Sequence, residues 1–271
     1  MDRITAQGMS MPKLGLGTWR MKGDECRDAV EMALSLGYRH IDTAEMYGNE
    51  DAIGAALART AVPRADIHLT SKVWWDHLTP DAMAQAIDAS LGRLGTDHVD
   101  LYLVHWPAAD MDLPQVMASL LKVKESGKAR AIGVANFPSA LLEQAVKLAP
   151  VAANQVEYHV LLGQDKLLRA QHAAGVALTA YCPLAQGRLA DHAALKDIAA
   201  KHQASPAQVA LKWLLDQDNV AAIPKAGRRE SQQANLDALS ITLDDADRAT
   251  IAALPKTERC VQPAFAPAWD A

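Results

Sequence analysis

Short apolar runs alternate with longer amphipathic stretches along the chain from about residue 14 onward. Short apolar runs bounded by turn residues indicate buried strands, whereas apolar residues spaced three or four apart indicate helices. The runs predict eight strands, over residues 14–18, 38–41, 67–71, 99–104, 131–134, 152–156, 176–181 and 220–223. The stretches between them predict seven helices, over residues 24–36, 49–59, 79–94, 114–127, 138–148, 164–174 and 205–216. Strands that alternate with helices favour a parallel sheet, and eight of them favour a closed (β/α)8 TIM barrel of the α/β class.

Residues typical of helix ends mark several of these boundaries. Asp24 precedes the first helix, Thr79-Pro80 opens the third, and Ser205-Pro206 opens a later one. A glycine closes four of the helices just before the next strand, and these glycines are Gly37, Gly95, Gly127 and Gly175.

Some helical stretches fall outside the regular alternation. Residues 185–204 hold an extra helix, and the tail holds two more helical stretches, 229–239 and 243–254. The sequence shows no linker, no low-complexity tract and no repeat beyond the strand–helix alternation. We therefore expect residues 1–271 to form a single barrel domain.

Length, charge and termini narrow the functional class. A chain of 271 residues, half of them hydrophobic, suits one barrel, which typically needs about 250 residues. A net charge of −5 argues against nucleic acid or an anionic membrane as a partner. No apolar run approaches the roughly 20 residues of a membrane span. The first ten residues lack the basic and apolar regions of a signal peptide, so we expect a cytoplasmic protein.

The three cysteines, Cys26, Cys182 and Cys260, are odd in number and widely spaced. That spacing is typical of reduced thiols and not of a disulfide framework or a zinc site. We expect no metal.

Four polar side chains follow predicted strands and share one type of chemistry: Asp42, Tyr47, Lys72 and His105. The carboxyl ends of parallel barrel strands meet on one face, and that face carries the active site of barrel enzymes. Taken singly, each residue has an ordinary structural explanation, such as a turn cap or a surface charge. Taken together on one face, they favour a catalytic site that handles protons.

The roles of these four side chains follow from their acidity. A free phenol has a pKa of about 10, and a nearby ammonium lowers that value. Lys72 is therefore expected to lower the pKa of Tyr47, while Asp42 keeps Lys72 charged and oriented. His105 would hydrogen-bond a substrate carbonyl or share in proton transfer. The set suits carbonyl reduction, in which a hydride reaches carbon while Tyr47 protonates the developing alkoxide.

Eight segments in order along the chain resemble the aldo-keto reductase family. They are Gly15–Trp19, Gly37–Glu50, Ser71–Trp74, Leu103–Pro107, Ile132–Phe137, Asn154–His159, Tyr181–Leu184 and Ile223–Lys225. The short length and the ending Ala266–Asp270 are most like a bacterial subgroup, the 2,5-diketo-D-gluconate reductases B. The resemblance implies the four catalytic roles given above. It also implies a hairpin that plugs the barrel within residues 1–13, two helices outside the barrel, and a monomer.

The same resemblance implies a nicotinamide cofactor that the motifs alone do not predict. Gly15–Arg20 begins like a dinucleotide fingerprint, but Arg20 replaces its third glycine. In the family, NADPH lies extended across the carboxyl face of the barrel. Carried over by position, the cofactor-binding residues would be Gly17, Thr18, Trp19, Asp42, Asn136, Gln155, Tyr181, Leu184, Lys225, Arg228, Arg229 and Asn235.

The chain departs from the family pattern around the expected phosphate and adenine contacts. The unusual residues there are Ala135, Ala226, Ser231 and Ala234. Arg228 and Arg229 would restore positive charge for the 2′-phosphate, since arginine binds phosphate through paired hydrogen bonds. NADPH is the predicted cofactor, and NADH is the alternative.

Five tryptophans are expected to line the substrate pocket: Trp19, Trp74, Trp75, Trp106 and Trp269. The loop Pro107–Pro114 and the tail Thr257–Ala271 are short. Short loops suggest small carbonyl substrates such as keto-sugars, methylglyoxal, ketoesters and simple aldehydes.

Three other functions compete with a carbonyl reductase. A Schiff-base lyase would use Lys72, but Asp42 would keep that amine protonated. A sensory barrel would hold cofactor without turnover, and the fold alone does not exclude it. A metal hydrolase would need a second ligand near His105 at recognisable spacing, and the sequence has none.

Overall fold

The structure, a computed structural model, describes residues 2–270 as an antiparallel hairpin followed by an eight-stranded parallel sheet. The hairpin is formed by β1 (Arg3–Ala6) and β2 (Met9–Pro12). The sheet contains β3 (Leu16–Gly17), β4 (His40–Asp42), β5 (His68–Val73), β6 (Val99–Val104), β7 (Ala129–Ala135), β8 (Val151–Glu157), β9 (Ala177–Tyr181) and β10 (Val220–Ala222).

The sheet closes on itself between its first and last strands. Neighbours along the sheet are also neighbours in sequence, from β3 to β10. At the seam, Gly15 N–H donates to the Ala222 carbonyl (2.9 Å), and Ala222 N–H donates to the Lys13 carbonyl (2.7 Å). Gly17 N–H donates to the Pro224 carbonyl at 3.2 Å. The predicted (β/α)8 barrel is therefore confirmed.

Ten α-helices accompany the described strands. They are α1 (Gly23–Leu36), α2 (Glu50–Arg59), α3 (Pro80–Leu94), α4 (Leu113–Glu125), α5 (Ser139–Leu148), α6 (Asp165–Ala174), α7 (Ala193–Lys201), α8 (Pro206–Leu215), α9 (Arg229–Asp237) and α10 (Asp245–Ala252). Eight of them alternate with barrel strands, while α7 and α10 are additional and pack against each other. The expectation of two extra helices is confirmed.

The hairpin closes the amino-terminal end of the barrel. Ile4, Met9 and Met11 are buried among small inward-facing residues of the barrel strands, most of them alanine. Small side chains leave space inside the barrel, and apolar hairpin side chains fill that space because interiors pack densely. The ring of His40, at the start of β4, donates from Nδ1 to the Pro12 carbonyl (3.2 Å). The main apolar core lies between the outer face of the sheet and the helices.

The capping residues predicted at the helix ends are found in the structure with one correction. Gly37, Gly95 and Gly175 take left-handed φ angles of 103°, 63° and 64° after α1, α3 and α6, where a Cβ would be strained. Ser205 caps α8 in a reciprocal capping box with Gln208. Asp24 does not precede the first helix, because α1 already begins at Gly23. Asp24 lies in the first turn, where a carboxylate still favours the positive end of the helix dipole.

Two strands run further than the apolar pattern predicted. β4 ends at Asp42 instead of before it, and β5 ends at Val73, so Lys72 also lies within a strand. Asp42 pairs with Thr70, and Lys72 pairs with Leu103, in the backbone ladder. A ladder continues through a polar residue when its backbone finds a partner, so the hydrophobic pattern underestimates strand length. None of the helices formed by residues 2–270 has both the length and the apolarity needed to span a membrane.

Candidate active site

The carboxyl face of the barrel brings Asp42, Tyr47, Lys72 and His105 together. Asp42 ends β4, Lys72 lies near the end of β5, and His105 directly follows β6. Tyr47 ends a short 3-10 turn, Glu45–Tyr47, just after β4. All four are side chains for which the sequence predicted a shared site.

A buried ion pair forms the base of this site. Lys72 Nζ lies 2.6 Å from Asp42 Oδ1, and the two side chains are 0% and 1% exposed. Lys72 also donates to the Thr43 carbonyl (2.7 Å) and to the Tyr47 hydroxyl (3.4 Å). The other oxygen of Asp42 accepts a hydrogen bond from Gln155 Nε2 (2.7 Å). These contacts use the three donors of an ammonium and hold its position.

The acidity of Tyr47 differs from the sequence expectation. The protein surrounding its hydroxyl, together with the negative charge of Asp42, raises the pKa of Tyr47 well above its ordinary value of 10. Burial also lowers the pKa of Lys72, although Asp42 opposes that shift. The expected lowering of the Tyr47 pKa is therefore wrong, because desolvation and the charge of Asp42 both raise that pKa. A phenol that keeps its proton is the form that can donate it.

His105 is a neutral imidazole beside this phenol. Burial, with a smaller effect of Lys72, lowers the pKa of His105 well below its ordinary value of 6.5. Its ring centroid lies 5.5 Å from that of Tyr47 and 4.9 Å from that of Trp74. Its Nδ1 is buried and has no hydrogen-bond partner among residues 2–270. A neutral ring in such a position can hydrogen-bond a substrate but is a poor proton source near neutral pH.

The turn that carries Tyr47 is braced from two sides. The Glu45 carboxylate accepts hydrogen bonds from the Trp74 backbone N–H and from His77 Nδ1 (3.1 Å). On the other side, Thr43 Oγ1 donates to Asn49 Oδ1 (2.8 Å), in the chain just after the turn. These bonds connect the turn to the loop after β5 and hold the phenol against the ion pair.

A cavity of about 760 Å³ is lined by three of the four residues, Asp42, Tyr47 and His105, while Lys72 is fully buried and not part of its lining. That volume lies in the usual range of about 300–1,000 Å³ for ligand sites. Of the residues predicted to bind cofactor, those that line it are Gly17, Thr18, Trp19, Asp42, Asn136, Gln155, Tyr181, Leu184 and Lys225. The structure therefore brings most of the predicted set to one surface.

A chain of hydrogen bonds orients the amide of Asn136 at the cavity wall. Tyr181 Oη donates to Asn136 Oδ1 (2.8 Å), and Asn136 Nδ2 donates to the His105 carbonyl (2.9 Å). An amide has two hydrogens and two lone pairs, so one of each remains for a ligand. Gln155 Oε1 likewise makes no hydrogen bond among the described residues. Both amides thus have donors or acceptors available toward the cavity.

Three of the predicted cofactor residues lie away from the cavity lining. Arg228 and Arg229 are exposed at the start of α9, and Asn235 is buried in the same helix near the Tyr38 hydroxyl. Lys225 lines the cavity, and its Nζ lies 3.9 Å from the exposed carboxylate of Glu25. An acidic neighbour at this position reduces the attraction of Lys225 for a phosphate.

The five tryptophans predicted for the substrate pocket fall into two groups. Trp19 and Trp106 line the cavity, and Trp19 also contacts Tyr47 with ring centroids 4.8 Å apart. Trp74, Trp75 and Trp269 are not among the residues that line it. Phe265 contacts both groups, with centroid distances of 5.9 Å to Trp74, 5.5 Å to Trp75 and 5.5 Å to Trp106.

Sequence reasoning missed several residues of the site. The cavity is also lined by Arg20, Met46, Leu189, Ala190, Ser205, Pro206, Ala207, Ile223, Pro224 and Val261. The cap Ser205-Pro206 was a visible signal, because the start of a helix offers free N–H groups to a ligand. Phe265 carried a weaker signal, as one of only two phenylalanines in the chain.

Three potential metal-ligand atoms lie within 4.8 Å of one another, one each from Glu157, His159 and Cys260. Leu161 N–H donates to His159 Nδ1 (3.3 Å), so Nε2 keeps the ring proton and donates to Glu157 Oε1 (3.1 Å). A metal needs the lone pair of that nitrogen. The same Glu157 carboxylate accepts from the backbone N–H groups of Cys260 (2.6 Å) and Val261 (2.9 Å). The cluster therefore holds the tail against β8, and the expectation of no metal stays a prediction.

Comparisons with known proteins agree with this architecture. The family model described as "Aldo/keto reductase family" matches residues 13–256. The methylglyoxal reductase DkgB of Escherichia coli O157:H7 is 39% identical over 268 residues, which cover 97% of this chain and all of that protein. Its counterpart in Salmonella typhimurium is 40% identical over the same coverage.

A solved structure is also similar over the whole fold. It is a crystal structure whose own assignment as a 2,5-diketo-D-gluconic acid reductase B is provisional. Its TM-score is 0.98 at 39% sequence identity, with 100% of this chain and 98% of that chain covered. With the family model and the full-length relatives, this similarity shows that the chain belongs to the aldo/keto reductase family and is an NAD(P)H-dependent oxidoreductase that reduces carbonyl groups.

Proposed function

We propose that the protein uses NADPH to reduce small aldehydes and ketones to alcohols, with Tyr47 as the proton donor. Methylglyoxal, keto-sugars and ketoesters are the expected substrates. The observation that carries the proposal is that Tyr47 lines the cavity and that its hydroxyl lies 3.4 Å from the Lys72 nitrogen. The names of the full-length relatives, which are methylglyoxal reductases, support the substrate class.

The chain's own residues perform the proton half of the reaction. Bound nicotinamide cofactor supplies the hydride. Tyr47 gives its proton to the carbonyl oxygen as negative charge develops there, and the Lys72 ammonium stabilises the phenolate that remains. Asp42 keeps Lys72 in place through its contact of 2.6 Å, and Gln155 Nε2 in turn donates to the other oxygen of Asp42 at 2.7 Å. His105, neutral and beside Tyr47, hydrogen-bonds the carbonyl oxygen and fixes its orientation.

The residues around the cavity fit a nicotinamide dinucleotide. Asn136 and Gln155 retain hydrogen-bonding capacity for the nicotinamide carboxamide, and Tyr181 lines the same region for stacking. Leu184, with the loop after it, would accompany the pyrophosphate. Lys225 would meet the 2′-phosphate, and the exposed Arg228 and Arg229 would add charge from the start of α9.

Lys225→Ala is expected to weaken NADPH binding by about tenfold or more and to leave NADH binding within about twofold. Loss of one hydrogen bond to a charged group costs about 1.5–3 kcal/mol, and NADH has no 2′-phosphate to lose. Fluorescence titration of both cofactors on the wild type and the variant measures the difference. Equal weakening of both cofactors would show that Lys225 does not contact the 2′-phosphate.

A direct assay tests the proposed reaction. Purified protein is titrated with NADPH and with NADH, methylglyoxal is then added, and absorbance of the reduced nicotinamide is followed. We expect oxidation of NADPH at the higher kcat/KM. Comparable rates with NADH would mean that Glu25 and the substitutions at 226, 231 and 234 have removed the preference. Tight binding of cofactor without turnover on a panel of small carbonyls would contradict the proposed substrate class.

The Schiff-base alternative gains no support from the geometry. The Lys72 nitrogen is enclosed by the Asp42 carboxylate, the Thr43 carbonyl and the Tyr47 hydroxyl, and its side chain is fully buried. A nucleophilic lysine needs a free lone pair and access to substrate.

We further propose that residues 1–271 act as one barrel domain, monomeric and cytoplasmic.

A further inference from the structure

The tail beyond α10 crosses the substrate end of the barrel as a strap, defined here as residues 257–270. Its first half is held by Glu157, a fully buried carboxylate at the end of β8 that accepts the N–H groups of Cys260 and Val261. Val261 reaches the cavity from this anchor. The first half of the strap is thus fixed by the Glu157 carboxylate at the end of β8.

The second half of the strap is held by a different carboxylate, that of Asp270. Asp270 Oδ2 accepts the backbone N–H of Ser139 (2.8 Å), and Oδ1 accepts the Ser139 hydroxyl (2.6 Å). Lys166 Nζ lies 3.3 Å from the same carboxylate. Ser139 is the first residue of α5, and the residue before it, Pro138, has no side-chain oxygen to cap the helix. Asp270 therefore caps α5 from 131 positions away in the sequence.

Between the two anchors, the strap carries aromatic rings onto the site. Trp269 lies next to Asp270, with its ring 6.0 Å from that of Trp106 and beneath the Arg259 guanidinium at 3.9 Å. Phe265 contacts Trp106 and Trp74, and Trp74 in turn contacts His105. Release of Asp270 would free the end of the strap and loosen this aromatic wall.

We propose that Asp270 is a positioning residue whose carboxylate, docked on the start of α5, holds the aromatic strap against the substrate side of the active site. The inference rests on the proposed reduction of small carbonyls. Asp270 does not touch the catalytic residues and acts through Trp269 and Phe265. The cavity residues proposed to bind the cofactor, such as Gln155, Tyr181 and Leu184, lie in the barrel and not in the strap. They are therefore expected to stay in place when the contact between Asp270 and Ser139, called the latch below, is lost.

The test compares Asp270→Asn with Glu258→Gln, with the KM and kcat for methylglyoxal measured at saturating NADPH and the Kd for NADPH measured by a separate titration. Asparagine keeps the size of the side chain but loses the charge and one acceptor oxygen. Glu258 lies on the same strap with its side chain about half exposed, and its one ion-pair contact, to Arg188, is 3.9 Å long. Asp270→Asn is expected to raise the KM for methylglyoxal about tenfold, with kcat within threefold and the Kd for NADPH within twofold. Glu258→Gln should leave all three unchanged.

Hydrogen exchange provides a readout that does not depend on turnover. The Ser139 amide and the amides of residues 262–270 should exchange faster in Asp270→Asn and at the wild-type rate in Glu258→Gln. Unchanged exchange, or a KM equal to that of the wild type, would overturn the proposal. Weakening of carbonyl binding and NADPH binding by the same factor would also overturn it. Such a result would indicate a general loss of structure and not a specific effect on the substrate site. An inactive wild type with faster exchange in the variant would instead contradict the proposed function and leave the latch supported.

Discussion

Replacement of Tyr47 by phenylalanine is expected to lower kcat for carbonyl reduction by about 10²–10⁴-fold, the usual contribution of a positioned general acid. The variant keeps the ring, so the contacts with Trp19 and His105 remain, at centroid distances of 4.8 and 5.5 Å in the wild type. It loses only the hydroxyl next to Lys72. Stopped-flow measurement of NADPH oxidation under single-turnover conditions separates this chemical step from product release.

Binding of NADPH to the Tyr47→Phe variant should stay within about twofold, because the cofactor contacts proposed above do not involve the hydroxyl. Tyr158→Phe is the matched control. Its hydroxyl also makes a hydrogen bond, to Gln217 Oε1 at 2.8 Å, and Tyr158 does not line the cavity. Wild-type turnover in the Tyr47 variant would disprove the proton-donor role. His105, although neutral, would then be the remaining candidate for proton transfer.

Replacement of Lys72 by methionine is expected to have the second large effect, on both stability and turnover. The side chain is fully buried, and its partner Asp42 would remain as a buried carboxylate with Gln155 as its one remaining side-chain hydrogen-bond partner. Breaking a buried pair in this way costs about 3–5 kcal/mol. Turnover should fall by about 10²-fold or more, because the phenolate of Tyr47 loses its stabilising charge.

The double variant Asp42→Asn, Lys72→Met distinguishes the two effects. Both charges are then absent, and removing a whole buried pair is often close to neutral for stability. Chemical denaturation should show that the free energy of unfolding largely recovers, whereas activity stays low. Recovery of activity together with stability would mean that the pair has only a structural role. A fully active Lys72→Met variant would refute the proposed stabilisation of the phenolate.

The barrel and the shared location of its four candidate catalytic residues were predictable because their signals are local. A buried strand needs apolar residues on consecutive positions, and a helix needs them at its own period, so eight such strands with seven helices between them predict the fold. Polar residues at the ends of such strands share a face by topology alone, which placed Asp42, Tyr47, Lys72 and His105 together. The positions expected from the family resemblance, such as Asn136, Tyr181 and Lys225, line the same cavity.

Contacts between distant parts of the chain decided the remaining features. The pKa of Tyr47 is raised because desolvation depends on everything around a hydroxyl, whereas the sequence showed only the nearby ammonium. Arg228, Arg229 and Asn235 lie outside the cavity lining because the orientation of α9 is set by its packing.

The strap most clearly separates what the local sequence determines from what tertiary contacts determine. The sequence by itself determined the barrel, the shared face of the four candidate catalytic side chains, and the short polar and aromatic tail after the last helix. Only the tertiary structure decided that Asp270 caps a helix 131 residues earlier and that Phe265 joins three tryptophans. The physical reason is that a cap or an aromatic contact needs only proximity in space, and no periodic pattern in the sequence records such a pairing.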